Sequence, residues 1–238
     1  MAKDPIYYKL LEACKQPGCP ACRVIIGIVD RFLDGFFYES VNDIPLRSEL
    51  RKSYGFCKTH AWRLLDGEAG NALGIAIIYH DVLTNVLRAL PGNGQPGKPP
   101  SPASLLSRFS RQAGDIVKNA IQAITPKQPC PACIEREQVT RLTIAILVNS
   151  LQEEQLVEAL DHSEGLCLPH IRQALEQNKD EKSLDFLLGT TRERLYALQV
   201  DLAEFIRKND YRYQHEGFGM ESNSWRKATS TTIGERDS

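Results

Sequence analysis

The chain has 238 residues, with 29 lysines and arginines against 30 aspartates and glutamates, and it contains seven cysteines. This length suits one large domain or two small ones, and the near-zero net charge argues against a partner held by bulk electrostatics, such as nucleic acid or an anionic membrane. The first residues carry charges where a secretion signal needs an apolar core, and the longest apolar runs look too short to span a bilayer, so we expect a soluble cytoplasmic protein. Seven cysteines in that compartment indicate metal binding or redox chemistry before structural disulfides.

Apolar residues recur at helical spacing along most of the chain. This periodicity predicts helices over 22–40, 71–90, 104–124, 133–160 and 181–208. Strand signals are nearly absent, because no run of alternating residues is bounded by turns. The sequence therefore predicts an all-α fold, interrupted most clearly by the breaker-rich stretch PGNGQPGKPPSP at 91–102.

A cysteine-histidine pattern occurs twice, 110 or 111 residues apart. Each copy has a CPAC motif, then a long predicted helix, then the pattern S-x-G-apolar-C-x-x-H. The first copy supplies Cys19, Cys22, Cys57 and His60, and the second supplies Cys130, Cys133, Cys167 and His170. Such self-similarity predicts an internal duplication. We expect a first helical module at 1–92, a Pro/Gly linker at 93–103, a second module at 104–208 and a C-terminal arm at 209–238.

Three thiolates and one imidazole form a ligand set that suits a tetrahedral, borderline-soft ion, and zinc is the default. Two such sets predict two Zn²⁺ per chain. Four protein ligands leave no open coordination position, so we expect structural sites and predict no catalytic residues. Each ion would hold the starts of two helices together, which makes the expected architecture a duplicated, metal-stapled helical module.

The pairing of the ligands is open at this stage. We expect each site to form within one copy, because a module closed within itself needs less loop closure. The alternative is an exchange, in which Cys19 and Cys22 join Cys167 and His170 while the remaining four residues form the other site.

Several segments resemble a known family. The twin CPxC…[FL]CxxH pattern, the segment FCKTHAW and the ending NDYRYQHEGFGMESNSWRKA resemble a family of bacterial and archaeal proteins classed as a domain of unknown function. The resemblance runs from about residue 5 to 228 and shows the same eight cysteine and histidine positions. It implies no activity, substrate or partner. The second copy departs slightly, since it reads LCLPH where the first reads FCKTH.

Two classes of function fit these observations. The first is a non-enzymatic zinc-binding helical protein that binds an unknown protein or small-molecule partner in regulation or assembly. The alternative is a redox protein, in which the CPAC thiols exchange with a disulfide or the ligand sets hold an iron–sulfur cluster.

The last predicted helix carries a heptad seam, which allows a homodimer. Its members step by four and three residues: Leu184, Leu188, Thr191, Leu195, Leu198, Leu202 and Phe205. The alternative is that the seam packs inside the monomer. Beyond it, the aromatic residues of 209–228 are unusual for a disordered tail, so we expect an ordered arm, with 229–238 mobile.

Overall fold

The computed structural model describes residues 3–36, 43–66, 72–91 and 113–236. Within these ranges it contains eleven α-helices and no β-strand, which confirms the predicted all-α class. The helices are α1 (Pro5–Cys14), α2 (Pro20–Gly35), α3 (Ile44–Ser53), α4 (Lys58–Asp66), α5 (Ala72–Ala89), α6 (Ala113–Ile124), α7 (Pro131–Asn149), α8 (Glu154–His162), α9 (Leu168–Gln177), α10 (Glu181–Lys208) and α11 (Ser224–Ile233). Two short 3₁₀ helices, Gln214–Glu216 and Met220–Asn223, lie between α10 and α11.

The predicted helix ends agree with the structure where breaking residues flank the apolar pattern. α5 and α10 lie within one residue of the predictions at 71–90 and 181–208. α2 begins earlier than predicted, at Pro20, because proline is tolerated in the first turn of a helix. The first part of the helix predicted at 104–124 and the end of the one predicted at 22–40 lie outside the described residues.

The single helix predicted at 133–160 is wrong, because the chain forms two helices there, α7 and α8. A turn separates them, and in it the Glu153 amide donates to the Ser150 carbonyl over 3.0 Å. The apolar spacing continues across this turn, with Leu151 and Leu156 both buried, and so gave no sign of it. The turn allows α8 to pack against α1.

The chain divides into two compact units. Unit 1 comprises Met1–Asp30 and Glu135–Ser238, and unit 2 comprises Arg31–Ile134. These boundaries fall inside α2 and α7, so they differ from the predicted modules at 1–92 and 104–208. Each unit takes one CPAC motif and one CxxH motif from different copies of the repeat.

The core of unit 1 combines side chains from both of the sequence segments that form the unit. Leu10 of α1 and Leu156 of α8 are fully buried, and the two helices pack together. The start of α1 is fixed by Asp4, whose carboxylate accepts a hydrogen bond of 2.8 Å from the Ile6 amide. An N-cap of this kind satisfies a backbone donor that the helix leaves unpaired.

Unit 2 is built on α5, which packs against both α3 and α6. Asp81 of α5 forms ion pairs with Arg47 and Arg51 of α3, at 3.2 and 2.6 Å. An edge-to-face contact joins the rings of Phe36 and Phe56, whose centroids are 5.1 Å apart. These contacts hold the segment that leads into the first CxxH motif.

The helices come in the same order after each CPAC motif. The first motif is followed by α2, α3, α4 and α5, and the second by α7, α8, α9 and α10. In both copies a short helix comes second, and the CxxH motif opens the third helix. Matching order is what a duplicated sequence predicts.

The C-terminal arm packs on its own unit. Phe218 stacks on Phe205 of α10 with ring centroids 5.2 Å apart, and Lys208 donates to Glu221 over 2.9 Å. α11 then packs against α9 and α10. The sequence predicts order only as far as residue 228, whereas α11 continues to Ile233, and the Gly234 amide donates to the Ser230 carbonyl over 2.9 Å at its end.

One helix of the described residues is long and apolar enough to cross a membrane, contrary to the expectation from sequence. It is α5, with a mean hydropathy of 1.2, and only 17% of it is buried. Length and composition alone are weak evidence, since core helices of soluble proteins meet the same criterion.

Candidate metal centres

The two CPAC motifs lie at helix starts. Cys19 and Cys130 precede α2 and α7, and their carbonyl oxygens accept the first helical hydrogen bonds over 3.1 Å. The proline that follows each of them opens the helix, because its fixed φ suits the first turn. Cys22 and Cys133 therefore lie on the first turn and share a side with the preceding cysteine.

The two CxxH motifs lie in the same way at the starts of α4 and α9. The carbonyls of Cys57 and Cys167 accept hydrogen bonds of 2.8 Å from the first turns of these helices. His60 and His170, three residues further on, project to the same side as the cysteines. Each CxxH motif therefore presents one sulfur and one imidazole at the start of a helix, where the positive end of the helix stabilises a nearby negative charge.

Four of the eight predicted ligands meet in unit 1 at a cluster that we call site 1. Its members are Cys19, Cys22, Cys167 and His170. The Cys22 and Cys167 sulfurs are 3.7 Å apart. The Nδ1 atom of His170 lies 3.2–3.5 Å from all three sulfurs.

The other four predicted ligands meet in unit 2 at site 2. Its members are Cys57, His60, Cys130 and Cys133. The Cys133 sulfur is 3.3 Å from that of Cys130 and 3.6 Å from that of Cys57. The Nδ1 atom of His60 lies 3.2–3.5 Å from the three sulfurs.

These separations can be compared with a tetrahedral zinc site. Bond lengths of about 2.3 Å to sulfur and about 2.0–2.1 Å to nitrogen give tetrahedron edges of about 3.8 Å between sulfurs and about 3.6 Å between sulfur and nitrogen. The distances given above, 3.3–3.7 Å between sulfurs and 3.2–3.5 Å between sulfur and nitrogen, lie within about 0.5 Å of these values. All four ligand atoms of each site lie within 4.8 Å of one another. Both clusters could therefore bind a metal ion.

The expected pairing within each copy is wrong, because each site joins the CPAC motif of one copy to the CxxH motif of the other. Our expectation rested on loop closure, which favours near neighbours. Cys22 and Cys167 are 145 residues apart in sequence. Closing that loop instead of the one from Cys22 to Cys57 costs only about 1.3 kcal/mol more, since the cost grows with the logarithm of length. Packing of unit 1 outweighs so small a difference.

The two sites differ in burial. All three cysteines of site 1 are buried, at 5% exposure or less, and only His170 is half-buried. In site 2, His60 and Cys130 are buried, whereas Cys57 and Cys133 are half-buried. The sulfurs of site 2 are therefore easier to reach from solvent.

Burial also governs the protonation of the ligands when no ion is bound. It raises the pKa of Cys19 to about 12 and raises that of Cys133. Burial also opposes ionisation of the Cys57 thiol, but hydrogen bonds to it, first among them the one from the His60 amide, lower its pKa. For His170, burial opposes protonation, yet hydrogen bonds to Cys167 and Cys22 raise its pKa to about 9. Because a metal binds thiolate and neutral imidazole, its binding must release protons.

A glycine directs each CxxH cysteine into its site. Gly55 and Gly165, each two residues before the cysteine, have φ of +88° and +80°. A side chain would be strained in this left-handed region. A Cβ on Gly165 would also lie 2.8 Å from Arg194, whose guanidinium donates to the Leu160 carbonyl over 2.6 Å.

Sequence reasoning missed the residues that surround site 1. The Glu235 amide lies 3.4 Å from the Cys22 sulfur, and the Gly18 amide donates to Glu164 over 2.7 Å. Glu164 occupies the variable position of the S-x-G pattern, and Glu235 lies outside both motifs. The only sequence feature that sets the surroundings of site 1 apart is the additional glycine, Gly18, in KQPGCPAC, which KQPCPAC lacks.

The fold and the two clusters define an all-α protein with two candidate Cys₃His metal sites. The chain belongs to a family described as "Family of unknown function (DUF6062)", whose profile matches residues 6–238. It is 28% identical over 228 residues to the "Uncharacterized 23.9 kDa protein in xynA 3'region" of Caldicellulosiruptor sp. (strain Rt8B.4), covering 94% of this chain and 99% of that protein. No solved structure matches the chain.

Proposed function

We propose that this protein is a non-enzymatic zinc protein of the cytoplasm, with one structural Zn²⁺ in each of its two sites, and that it binds a protein or small-molecule partner in regulation or assembly. The observation that carries the proposal is the compactness of each ligand set. Separations of 3.2–3.7 Å between neighbouring ligand atoms suit one ion at the centre of a tetrahedron.

The same compactness favours zinc over an iron–sulfur cluster. In a cluster, cysteines bind different iron atoms, so ligand atoms on separate irons lie further apart than the edges of one tetrahedron. Mixed thiolate and imidazole ligation with no open position is typical of structural zinc.

Zinc would act here on the ends of helices. In site 1 it would hold the start of α2 to the start of α9, and in site 2 the start of α4 to the start of α7. Structural zinc contributes on the order of 10 kcal/mol to the folding of small modules. Each ion would thus fix the packing of its own unit.

A cleft in unit 1 supports a binding role. It has a volume of about 180 Å³ and lies among α9, α10 and α11. Leucines form much of its wall, and charged groups stand at its edge; the lining includes Leu166, Leu168, Leu195, Leu198, Asp201 and Lys227. Leu166 and Leu168 flank Cys167, so a ligand in the cleft would lie beside site 1.

Anaerobic purification followed by a metal count and a visible spectrum tests the proposal. We expect a colourless protein with about two zinc ions per chain. A brown protein that contains iron and sulfide would support a cluster instead. A metal-free protein whose CPAC cysteines cycle between dithiol and disulfide would support thiol exchange. Either of these results would overturn the zinc proposal.

A further inference from the structure

The chain passes directly over site 1 after the end of α11. Gly234 has φ of +95°, a conformation that favours glycine. A Cβ at this position would lie 3.6 Å from the Cys22 sulfur and 3.9 Å from the Cys167 sulfur. The backbone therefore rests against two of the three sulfurs with no side chain between them.

Glu235 makes two contacts with the same site. Its amide lies 3.4 Å from the Cys22 sulfur, and its carboxylate accepts a hydrogen bond of 3.3 Å from the Cys19 amide. An amide directed at a sulfur stabilises the thiolate, and a carboxylate at a helix start interacts favourably with the positive end of that helix. We call residues 234–236 the closing segment.

Two contacts of Glu164 connect the loop before Cys19 to α11, the helix that leads into the closing segment. Glu164 accepts from the Gly18 amide over 2.7 Å and forms an ion pair of 2.9 Å with Lys227 of α11. These contacts lower the pKa of Glu164 although its burial acts in the opposite direction. A Cβ on Gly18 would lie 2.5 Å from the Glu235 carboxylate, so the extra glycine of the first CPAC motif leaves room for it.

We propose that the closing segment retains the ion of site 1, so that site 1 releases its zinc more slowly than site 2, which is the exchangeable site. This inference rests on the proposed zinc function. Removal of an ion begins when a competing ligand reaches the metal or an accessible thiolate. At site 1 the sulfurs are buried beneath the closing segment, whereas at site 2 Cys57 and Cys133 are half-buried.

Zinc release tests this directly. The two-zinc protein is mixed with excess EDTA, and the zinc that remains bound is counted over time. We expect two phases of one ion each, with the slower at least about tenfold slower, because hydrogen-bond partners of metal ligands typically change metal affinity by about 10–100-fold. Cys57→Ser should leave only the slow phase, and Cys19→Ser only the fast phase.

Truncation after Ile233 should accelerate the slow phase by about 10–100-fold and leave the fast phase unchanged. Truncation after Arg236, which keeps the closing segment, is the matched control. Glu235→Ala and Glu235→Pro both lose the carboxylate, but only proline also loses the amide hydrogen. The proline variant should therefore release its site 1 zinc faster than the alanine variant.

Two results would contradict the proposal that the closing segment slows zinc release from site 1. One is a single release rate for both ions in the full chain. The other is a slow phase that the truncation after Ile233 leaves unchanged while circular dichroism shows the truncated protein to be folded. A full chain that contains no zinc would instead refute the proposed function, so the two failures are distinguishable.

Discussion

Single glycines determine whether the CxxH cysteines reach their sites. Gly165 precedes Cys167 by two residues in a left-handed conformation, and the Arg194 side chain covers it. Gly189, in the middle of α10, lies in open space with no positive φ. The two glycines belong to the same unit and provide a matched pair.

Gly165→Ala should lower the free energy of unfolding by about 1–3 kcal/mol, because alanine is strained at positive φ and its Cβ would meet Arg194. Gly189→Ala should raise it by about 0.5–1 kcal/mol, since alanine has the better helix propensity. Urea unfolding measures both changes. Equal effects of the two substitutions would show that the turn at Gly165 does not require glycine.

For single residues, the sequence could predict the metal ligands but not the side chains that surround them. The repeat identified all eight cysteine and histidine positions that the structure gathers into two clusters. Glu164 and Glu235 reach site 1 only through tertiary packing. A glutamate that acts as a hydrogen-bond acceptor looks in sequence like any glutamate on a solvated surface.

The C-terminal arm is held to α10 by a buried glutamate. Glu221 is only 7% exposed; it accepts from the Gly219 amide over 2.8 Å and from Lys208 over 2.9 Å. The Gly219 amide first, and then the Lys208 ammonium, lower the pKa of Glu221 to about 2. The ordinary value is about 4.3, so the ionised form is favoured in the folded arm.

This shift predicts a pH dependence. A depressed carboxyl pKa gives stability that is complete above about pH 4.5 and is lost as the pH falls through about 4.3 toward 2. Glu221→Gln should therefore be less stable than the parent protein at pH 7, and the difference should narrow below about pH 4.5.

Urea unfolding at a series of pH values, followed by the emission of Trp225 in a Trp62→Phe background, measures this difference. Comparison with the glutamine variant cancels the acid sensitivity of the metal sites, which both proteins share. A difference that persists unchanged down to pH 2 would contradict the assignment.

Whole helices could be predicted from the sequence where turn-forming residues flank them. The helix predicted at 133–160, which is two helices, shows that apolar spacing alone does not reveal a turn. Apolar spacing reports burial, and burial continues through the turn between α7 and α8, where Leu151 stays buried. The arm shows the opposite case. Its aromatic residues indicated order, and the stack of Phe218 on Phe205 provides it.

Ligand pairing is a property of the whole molecule, and the sequence could not decide it. Both pairings use the same residues at the same spacings. The longer loops of the exchanged pairing cost about 2 kcal/mol more for the two sites together, which is small beside the packing of a unit. The structure places each complete ligand set in one compact unit and exchanges the motifs between the copies.

The seam of α10 leads to a prediction about assembly. Phe205 packs on the arm, but Leu188 and Leu195 remain 48% and 37% exposed. We predict self-association through this exposed half of the seam, because burial of large apolar side chains stabilises helix pairs. Sedimentation at micromolar concentration should give a mass above the 26.7 kDa of one chain, and Leu188→Asp should reduce it. A constant mass of 26.7 kDa for the parent protein would contradict the prediction.

Zinc counts on two double variants test the exchanged pairing most directly. In Cys19→Ser/Cys167→Ser both substitutions fall in site 1, so about one zinc ion should remain, bound at site 2. In Cys19→Ser/Cys57→Ser one ligand is lost from each site, so almost none should remain. The reverse outcome, with no zinc in the first variant and one ion in the second, would show that each site forms within one copy of the repeat and would contradict the structure.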